Sequence, residues 1–246
     1  MNPLPTVTKN LLIINVLMFL ATLAAERYGI DLGEYLGLHF ILSDRFNAAQ
    51  LITYMFMHGG FLHLFFNMFA VWMFGRILEQ IWGPKRFLFY YLVCGVGAGL
   101  IQEAVTGIHY YTLQAGLSPE MVEAVLNEGS KALQQNMNFV NPVMGNLNLT
   151  LNSSTVGASG AVYGILLAFG MLFPNERMFI FPLPMPIKAK WFVIGYAVIE
   201  LYAGLANNAA DNVAHFAHLG GMIFGFFLIL YWKKNNKGNH DGYYYN

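Results

Sequence analysis

The chain has 246 residues with no formal net charge, 57% of them hydrophobic and 11% charged, against roughly 25% charged in a soluble globular domain. Its mean hydropathy of +0.47 is that of a multi-pass membrane protein, so the lipid bilayer is its first partner. Balanced charge, with no dense basic run outside the tail, argues against nucleic acid as a partner, and the single cysteine, Cys94, excludes an intrachain disulfide and a cysteine-based metal site.

Six apolar segments are candidates to cross the bilayer: 10–25, 62–82, 87–105, 160–173, 191–206 and 213–232. A spanning helix needs about 20 residues, or somewhat fewer where the bilayer adapts. The fold class expected is therefore all-α, a six-transmembrane-helix bundle whose fourth helix is short. The stretch 11–25 has the length of a signal-peptide core, but no small-x-small cleavage site follows it, so it reads as the first transmembrane helix. With the N-terminus inside, Lys9, Arg76, Lys85, Arg86, Arg177, Lys188, Lys190, Lys233, Lys234 and Lys237 fall on the inner side. Only Arg27, Arg45 and Lys131 fall outside, so both termini are expected in the cytoplasm, including a tail over 233–246.

Two outer loops are long. The first, 26–61, is rich in Gly, Tyr, Phe and Leu and is expected to dip partly into the membrane interface. The second, 106–156, is a polar insertion between the third and fourth helices. Within it Ser118-Pro119-Glu120 starts a helix, with Ser at N-cap and Pro at N1. Met121, Val122, Val125 and Leu126 would form its apolar face, making an amphipathic surface helix that rests on the bundle as a lid, with substrate docking as its other reading. The Asn-rich stretch 136–154 is expected as a mobile loop. Its two sequons, at Asn148 and Asn152, have meaning only in a eukaryotic secretory host.

Chemistry is carried by Gly157-Ala158-Ser159-Gly160 and His218-Leu219-Gly220-Gly221. Ser159 opens the fourth helix, where unpaired backbone N–H groups and the helix dipole favour negative charge, the setting of an oxyanion hole. Gly157 and Gly160 let a substrate backbone approach closely. Gly160-xxx-Gly164 and Gly221-xxx-Gly225 are also helix-contact motifs that would bring the fourth and sixth helices together. His218, counted from Asn212, would lie about 9 Å below the outer end of the sixth helix. Tyr163 shares a face with Ser159 and could stack on the His218 ring. His63 and Asn67, also i and i+4, sit at the outer end of the second helix and can both donate to a developing oxyanion; the bland alternative is a polar clamp on the first outer loop.

This pattern resembles the rhomboid family of intramembrane serine proteases, from about Gln50 to Leu230 without the insertion. The matching elements are H-x-x-x-N at His63 and Asn67, G-x-S-G with the tyrosine one turn on at Ser159 and Tyr163, and Ala217-His218-Leu219-Gly220-Gly221 ending at Gly225. Gly75-Arg76-Ile77-Leu78-Glu79 and Gly83 look like the family's exit from the second helix, where a glutamate ties helices together. The resemblance implies that the short fourth helix is central and carries its serine at the bottom of a water-filled cavity opening to the outer side. It implies a Ser159–His218 dyad without a catalytic acid, and an oxyanion held by Asn67, His63 and the Ser159 amide. It also implies single-pass membrane protein substrates, cut near the outer face beside small residues, and no cofactor. One departure stands out: where many members carry Trp-Arg in the first outer loop, this chain has Ala49-Gln50.

Rival chemistries fit less well. A zinc protease would show His-Glu-x-x-His, and no carboxylate or Cys sits at ligand spacing beside His58, His63, His215 or His218, so no metal is expected. An aspartyl membrane protease needs two intramembrane Asp, whereas the only acid deep in a span is Glu200. It reads as a protonated interhelical hydrogen-bond donor, with a place in a water path as its other reading. A transporter would show repeats in two halves, and none is visible. A non-proteolytic rhomboid-like protein that binds transmembrane helices is the remaining alternative; such relatives lose the serine or the histidine, and both stand here.

Overall fold

The computed structural model describes residues 3–179, 185–206 and 214–236. In chain order its elements are α1 (Thr6–Glu26), α2 (Leu32–Leu36), β1 (Leu38–His39), α3 (Gln50–Thr53), α4 (Phe61–Ala70), α5 (Arg76–Trp82), α6 (Pro84–Gln114), α7 (Pro119–Gln134), α8 (Pro142–Asn152), β2 (Ser154–Thr155), α9 (Ser159–Leu172), β3 (Arg177–Met178), β4 (Ile187–Lys188), α10 (Ala189–Ala206) and α11 (His215–Asn236). A π-helical turn, Val71–Gly75, joins α4 and α5 into one rod, Phe61–Trp82. Two pairs of two-residue strands, β1 with β2 and β3 with β4, are antiparallel.

The chain is an integral multi-pass membrane protein. Among the described residues five helices are long and apolar enough to cross a bilayer: α1, the rod Phe61–Trp82, α6, α10 and α11. Their outer faces carry exposed Leu17, Leu20, Val198, Ile199 and Phe227, an apolar exterior suited to lipid and not to water. The fourth expected span folds as α9, whose 14 residues reach only about 21 Å, short of a hydrocarbon core of about 30 Å. It is buried along most of its length and touches the rod, α6, α10 and α11.

What lets so many helices crowd α9 is the absence of side chains. A Cβ on Gly221 would lie 1.8 Å from the Gly160 carbonyl oxygen, so α11 and α9 touch backbone to backbone there. On the other side of α9, a Cβ on Gly160 would meet the Ala98 Cβ at 2.3 Å and one on Gly164 the Cys94 Sγ at 2.5 Å. The expected pairing of two GxxxG faces holds at Gly160 and Gly221 and fails at Gly225. Gly225 instead faces α6, where its Cβ would lie 2.3 Å from the Tyr90 hydroxyl. That hydroxyl donates to the Gly164 carbonyl at 2.8 Å, so the large Tyr90 ring fills the space that Gly225 leaves and links α6 to α9.

The buried carboxylate of Glu79 is tied off by a neighbouring helix. No side chain caps the start of α1 from its own N-cap, Pro5. The buried Glu79 of α5 does so instead, accepting from the Val7 amide at 2.9 Å, the Thr8 amide at 2.7 Å and the Thr8 hydroxyl at 2.7 Å. A carboxylate at a helix N-terminus is favoured by the dipole as well as by the hydrogen bonds, and this is the helix-tying glutamate that the sequence motif suggests.

Three expectations need correction. The third helix does not stop at 105: α6 runs unbroken to Gln114 because no Pro or helix-breaking cluster intervenes, and its 31 residues make a rod of about 46 Å. The insertion therefore begins inside a helix. Its Asn-rich part is α8, because those side chains serve the backbone: Asn141 caps the Val143 and Met144 amides, and fully buried Asn148 donates to the Gly129 carbonyl at 3.1 Å. Helix α7 starts at its Ser118 cap as expected, but only Val122 and Val125 of the apolar face are buried. Met121 and Leu126 flank that face and stay exposed, since α8 reaches only the line through Val122, Val125 and Gly129. Phe40, Tyr110, Val122, Val125, Leu147 and Leu151 make a small second core under the insertion. The tail beyond 236, including Lys237, and Asn212 and Val213 lie outside the described residues.

Gly221→Val is expected to lower the thermal unfolding midpoint in detergent, since overpacking costs about 1–3 kcal/mol even where side chains can shift. Gly195→Ala, whose new Cβ meets nothing within 4 Å, serves as the control, and equal midpoints for the two variants would remove the backbone contact from the argument. Glu79→Ala strips the Val7 and Thr8 amides of their acceptor and should cost about 1–3 kcal/mol, read as an earlier loss of helical circular dichroism on heating.

Candidate active site

Ser159 is placed by a turn that only glycine makes comfortably. Gly157 has φ +136°, donates to the Tyr54 carbonyl at 2.9 Å, and leaves room for His63: a Cβ there would lie 2.8 Å from that ring. The chain then enters α9 at Ser159 with no side-chain cap, and the first intrahelical bond is from the Val162 amide to the Ala158 carbonyl at 3.0 Å. The amides ahead of Val162 thus lack acceptors within the helix and surround the serine with donors.

His218 meets it from α11. The Ser159 Oγ lies 2.8 Å from His218 Nε2. Tyr163, one turn along α9, stacks on the imidazole with ring centroids 4.2 Å apart and planes within 8°, the stacking expected from the spacing. His218 stands in the first turn of α11, about 4.5 Å from its start, because that helix begins at His215; the expected depth of 9 Å was counted from Asn212.

The other face of the imidazole edge is occupied by Glu200 of α10. His218 Nδ1 lies 2.9 Å from Glu200 Oε2, and His215 Nδ1 lies 2.6 Å from the same oxygen. The Tyr163 hydroxyl donates to Glu200 Oε1. Glu200 and His218 are buried, at 6% and 7% exposure. Sequence spacing offered no carboxylate beside the histidines, and the packing of α10 on α11 supplies one. As an acid in the middle of an apolar span, Glu200 reads from sequence as an interhelical donor; it does tie helices together, but as the acceptor of the Tyr163 hydroxyl. Glu200, His215 and His218 bring nitrogen and oxygen atoms of metal-ligand type within 4.8 Å of one another, and each of these atoms is engaged in a hydrogen bond within the group.

His63 and Asn67 flank the serine turn in different states. The His63 ring lies against Gly157 and edge-on to His58, with centroids 5.1 Å apart. The buried Asn67 amide donates one hydrogen to the His63 carbonyl at 3.0 Å, and its second hydrogen remains to be given. A cavity of about 260 Å³ beside His215 is walled by Gln102, Glu103, Thr106, His109 and Ser154 among others, polar enough to hold water.

A model of the rhomboid domain matches residues 45–235. The chain belongs to the rhomboid family. It is similar to "Rhomboid protein 1, mitochondrial" of Saccharomyces cerevisiae, at 27% identity over 76% of this chain and 43% of that protein. It is also similar to "Rhomboid-like protein 11, chloroplastic" of Arabidopsis thaliana, at 25% identity over 86% and 66%, and to "Rhomboid protease GluP" of Bacillus subtilis, at 28% identity over 72% and 25%. The chain thus spans between a quarter and two thirds of the length of these relatives.

In this rhomboid the departure at Ala49-Gln50 has a structural answer. Buried Gln50 accepts from the His39 and Asn47 amides, both at 3.2 Å, and donates to the Tyr35 carbonyl at 3.2 Å and the Arg45 carbonyl at 2.9 Å. One amide side chain thereby gathers four points of the first outer loop. Thr53 adds a bond to the Leu36 carbonyl at 2.7 Å, and Arg45 reaches both Glu34 at 2.7 Å and Ser130 of α7 at 2.9 Å. Burial holds the His39 ring below the usual histidine range, so the neutral ring gives its Nε2 hydrogen to the Glu34 carbonyl at 2.9 Å. Strand β1 pairs with β2 just before Gly157, which fastens this loop to the serine turn. Gln50→Leu should cost about 1–3 kcal/mol through unpaired loop amides, and faster hydrogen exchange at His39 and Asn47 would be the local signature.

Proposed function

We propose that this rhomboid is an intramembrane serine endopeptidase that cuts single-pass membrane proteins. The observation that carries the reading is the 2.8 Å approach of Ser159 Oγ to His218 Nε2 at the start of a short apolar helix. In the reaction, Ser159 Oγ bonds to the scissile carbonyl carbon while its proton passes to His218 Nε2. That proton then goes to the leaving amine as the C–N bond breaks. Water, deprotonated by the same nitrogen, attacks the acyl-enzyme; the C–O bond to Ser159 breaks and His218 returns the proton to Ser159 Oγ. The oxyanion is met by the Ser159 amide, the free hydrogen of Asn67 and the His63 ring. No cofactor enters these steps.

Six helices cross the membrane on this reading, α9 being the short fourth at the centre. Its length of about 21 Å leaves the serine below the outer surface, in a water-filled recess open to that side. The Lys and Arg distribution supports a cytoplasmic position for both termini. The basic and aromatic group at one end of the bundle, where Arg86 lies 4.0 Å over the Trp232 ring beside Lys233 and Lys234, suits the inner interface. Substrates would be helices that unwind near the outer face, with small residues at the cut. The name "Rhomboid protease GluP" of one relative supports the activity.

The test is cleavage of a tagged single-pass membrane reporter in proteoliposomes. Wild type should cut, Ser159→Ala and His218→Ala should not, and Asn67→Ala should be slower by roughly 10²–10³ if its amide holds the oxyanion. Binding without cutting by wild type, with Ser159 refractory to a fluorophosphonate, would instead favour a non-proteolytic binder of transmembrane helices.

A further inference from the structure

The imidazole of His218 has two nitrogens, and general-base chemistry at Nε2 requires the proton to sit on Nδ1. Whatever faces Nδ1 decides this. Here it is a carboxylate oxygen, Glu200 Oε2, at 2.9 Å. We infer that Glu200 is the third member of a Ser159–His218–Glu200 relay: a positioning residue that holds His218 in the Nδ1–H tautomer and stabilises the imidazolium formed when Ser159 gives up its proton. This deepens the protease reading and rests on it for the identity of the nucleophile.

The carboxylate is itself held on both oxygens. Tyr163 donates to Oε1, and His215 and His218 meet at Oε2, at 2.6 and 2.9 Å. An ionised carboxylate has lone pairs for all three donors. Tyr163 thus does two jobs: its ring face stacks on His218 while its hydroxyl aims Glu200 at the same ring's edge. Three helices contribute to this arrangement, α9 with Ser159 and Tyr163, α10 with Glu200, and α11 with His215 and His218. A purely interhelical tie needs one donor and one acceptor. This group instead converges on the one nitrogen whose protonation sets the base, at a buried position where a new positive charge on His218 needs a nearby partner. The proton on Nδ1 stays there through the cycle, as in soluble serine hydrolases, and Glu200 is never protonated by it.

The experiment compares wild type, Glu200→Gln and Glu200→Leu, with Ser159→Ala as the inactive reference. It measures kcat and KM on the membrane reporter, the thermal midpoint, and the ¹⁵N resonances of the His218 ring. Glu200→Gln is expected to keep its fold and KM and to lose kcat by up to roughly 10⁴-fold, the loss that follows when a triad acid is made neutral. Wild-type His218 should show the Nδ1–H tautomer, and the variant a mixed or Nε2–H ring. A folded Glu200→Gln with kcat within about threefold of wild type would overturn the inference, as would an Nε2–H ring in the wild-type protein. Should both variants fail to fold, the wild-type tautomer decides the matter. If wild type neither cuts nor labels at Ser159, the protease reading fails, while the ring tautomer still reports whether Glu200 sets His218.

Discussion

Everything at the site depends on two helix backbones touching. Ser159 and Tyr163 ride on α9 and His218 on α11, and the serine-to-imidazole distance is short only because Gly160 and Gly221 let these helices meet without side chains between them. The same economy repeats against α6, where Gly160 and Gly164 lie on Ala98 and Cys94. In a bilayer, lipid is as apolar as the helix faces, so helix contact is driven by close packing and internal hydrogen bonds and not by expulsion of water. Glycine at the contact is the means of obtaining both.

A second constraint shapes the polar groups. Inside the membrane an unpartnered charge is costly, and the two buried acids among the described residues, Glu79 and Glu200, each have several partners. Glu79 receives three bonds from the start of α1, and Glu200 receives the Tyr163 hydroxyl and faces two histidine nitrogens. The two differ in what they hold. One fixes the end of a helix; the other sits at the edge of the ring that faces Ser159.

Outside the membrane-crossing helices, order comes from unusual sources. The first outer loop has little regular structure, yet Gln50, Thr53 and Arg45 bind its carbonyls and side chains, and β1 clips it to the strand that leads into the serine turn. The insertion is held by its own small core around Val125 and Leu147, with Phe40 of the loop and Tyr110 of α6 taking part. Loop, insertion and serine turn are therefore joined by direct contacts.

Local pattern made the family, the apolar segments, the Tyr163 stack and the Ser118 cap legible, and it marked Ser159, His218, His63 and Asn67 as candidates, since each depends on residues a few positions apart or on a motif. The order hidden in 136–154 was not legible, because asparagine-rich sequence reads as loop until Asn141 and Asn148 are seen bonding backbone. The anchoring role of Gln50 was hidden too, as its four partners lie 3 to 15 positions away. Gly225 was assigned to the wrong neighbour, because a GxxxG motif marks a smooth face without saying which helix meets it. The sequence by itself determined which side chains are candidates for acyl-transfer chemistry and that they would lie within apolar helices. Tertiary structure alone decided that α10 brings Glu200 to His218 Nδ1, because helical periodicity orients a residue around its own axis and carries no information about the rotation and depth of the helix packed against it.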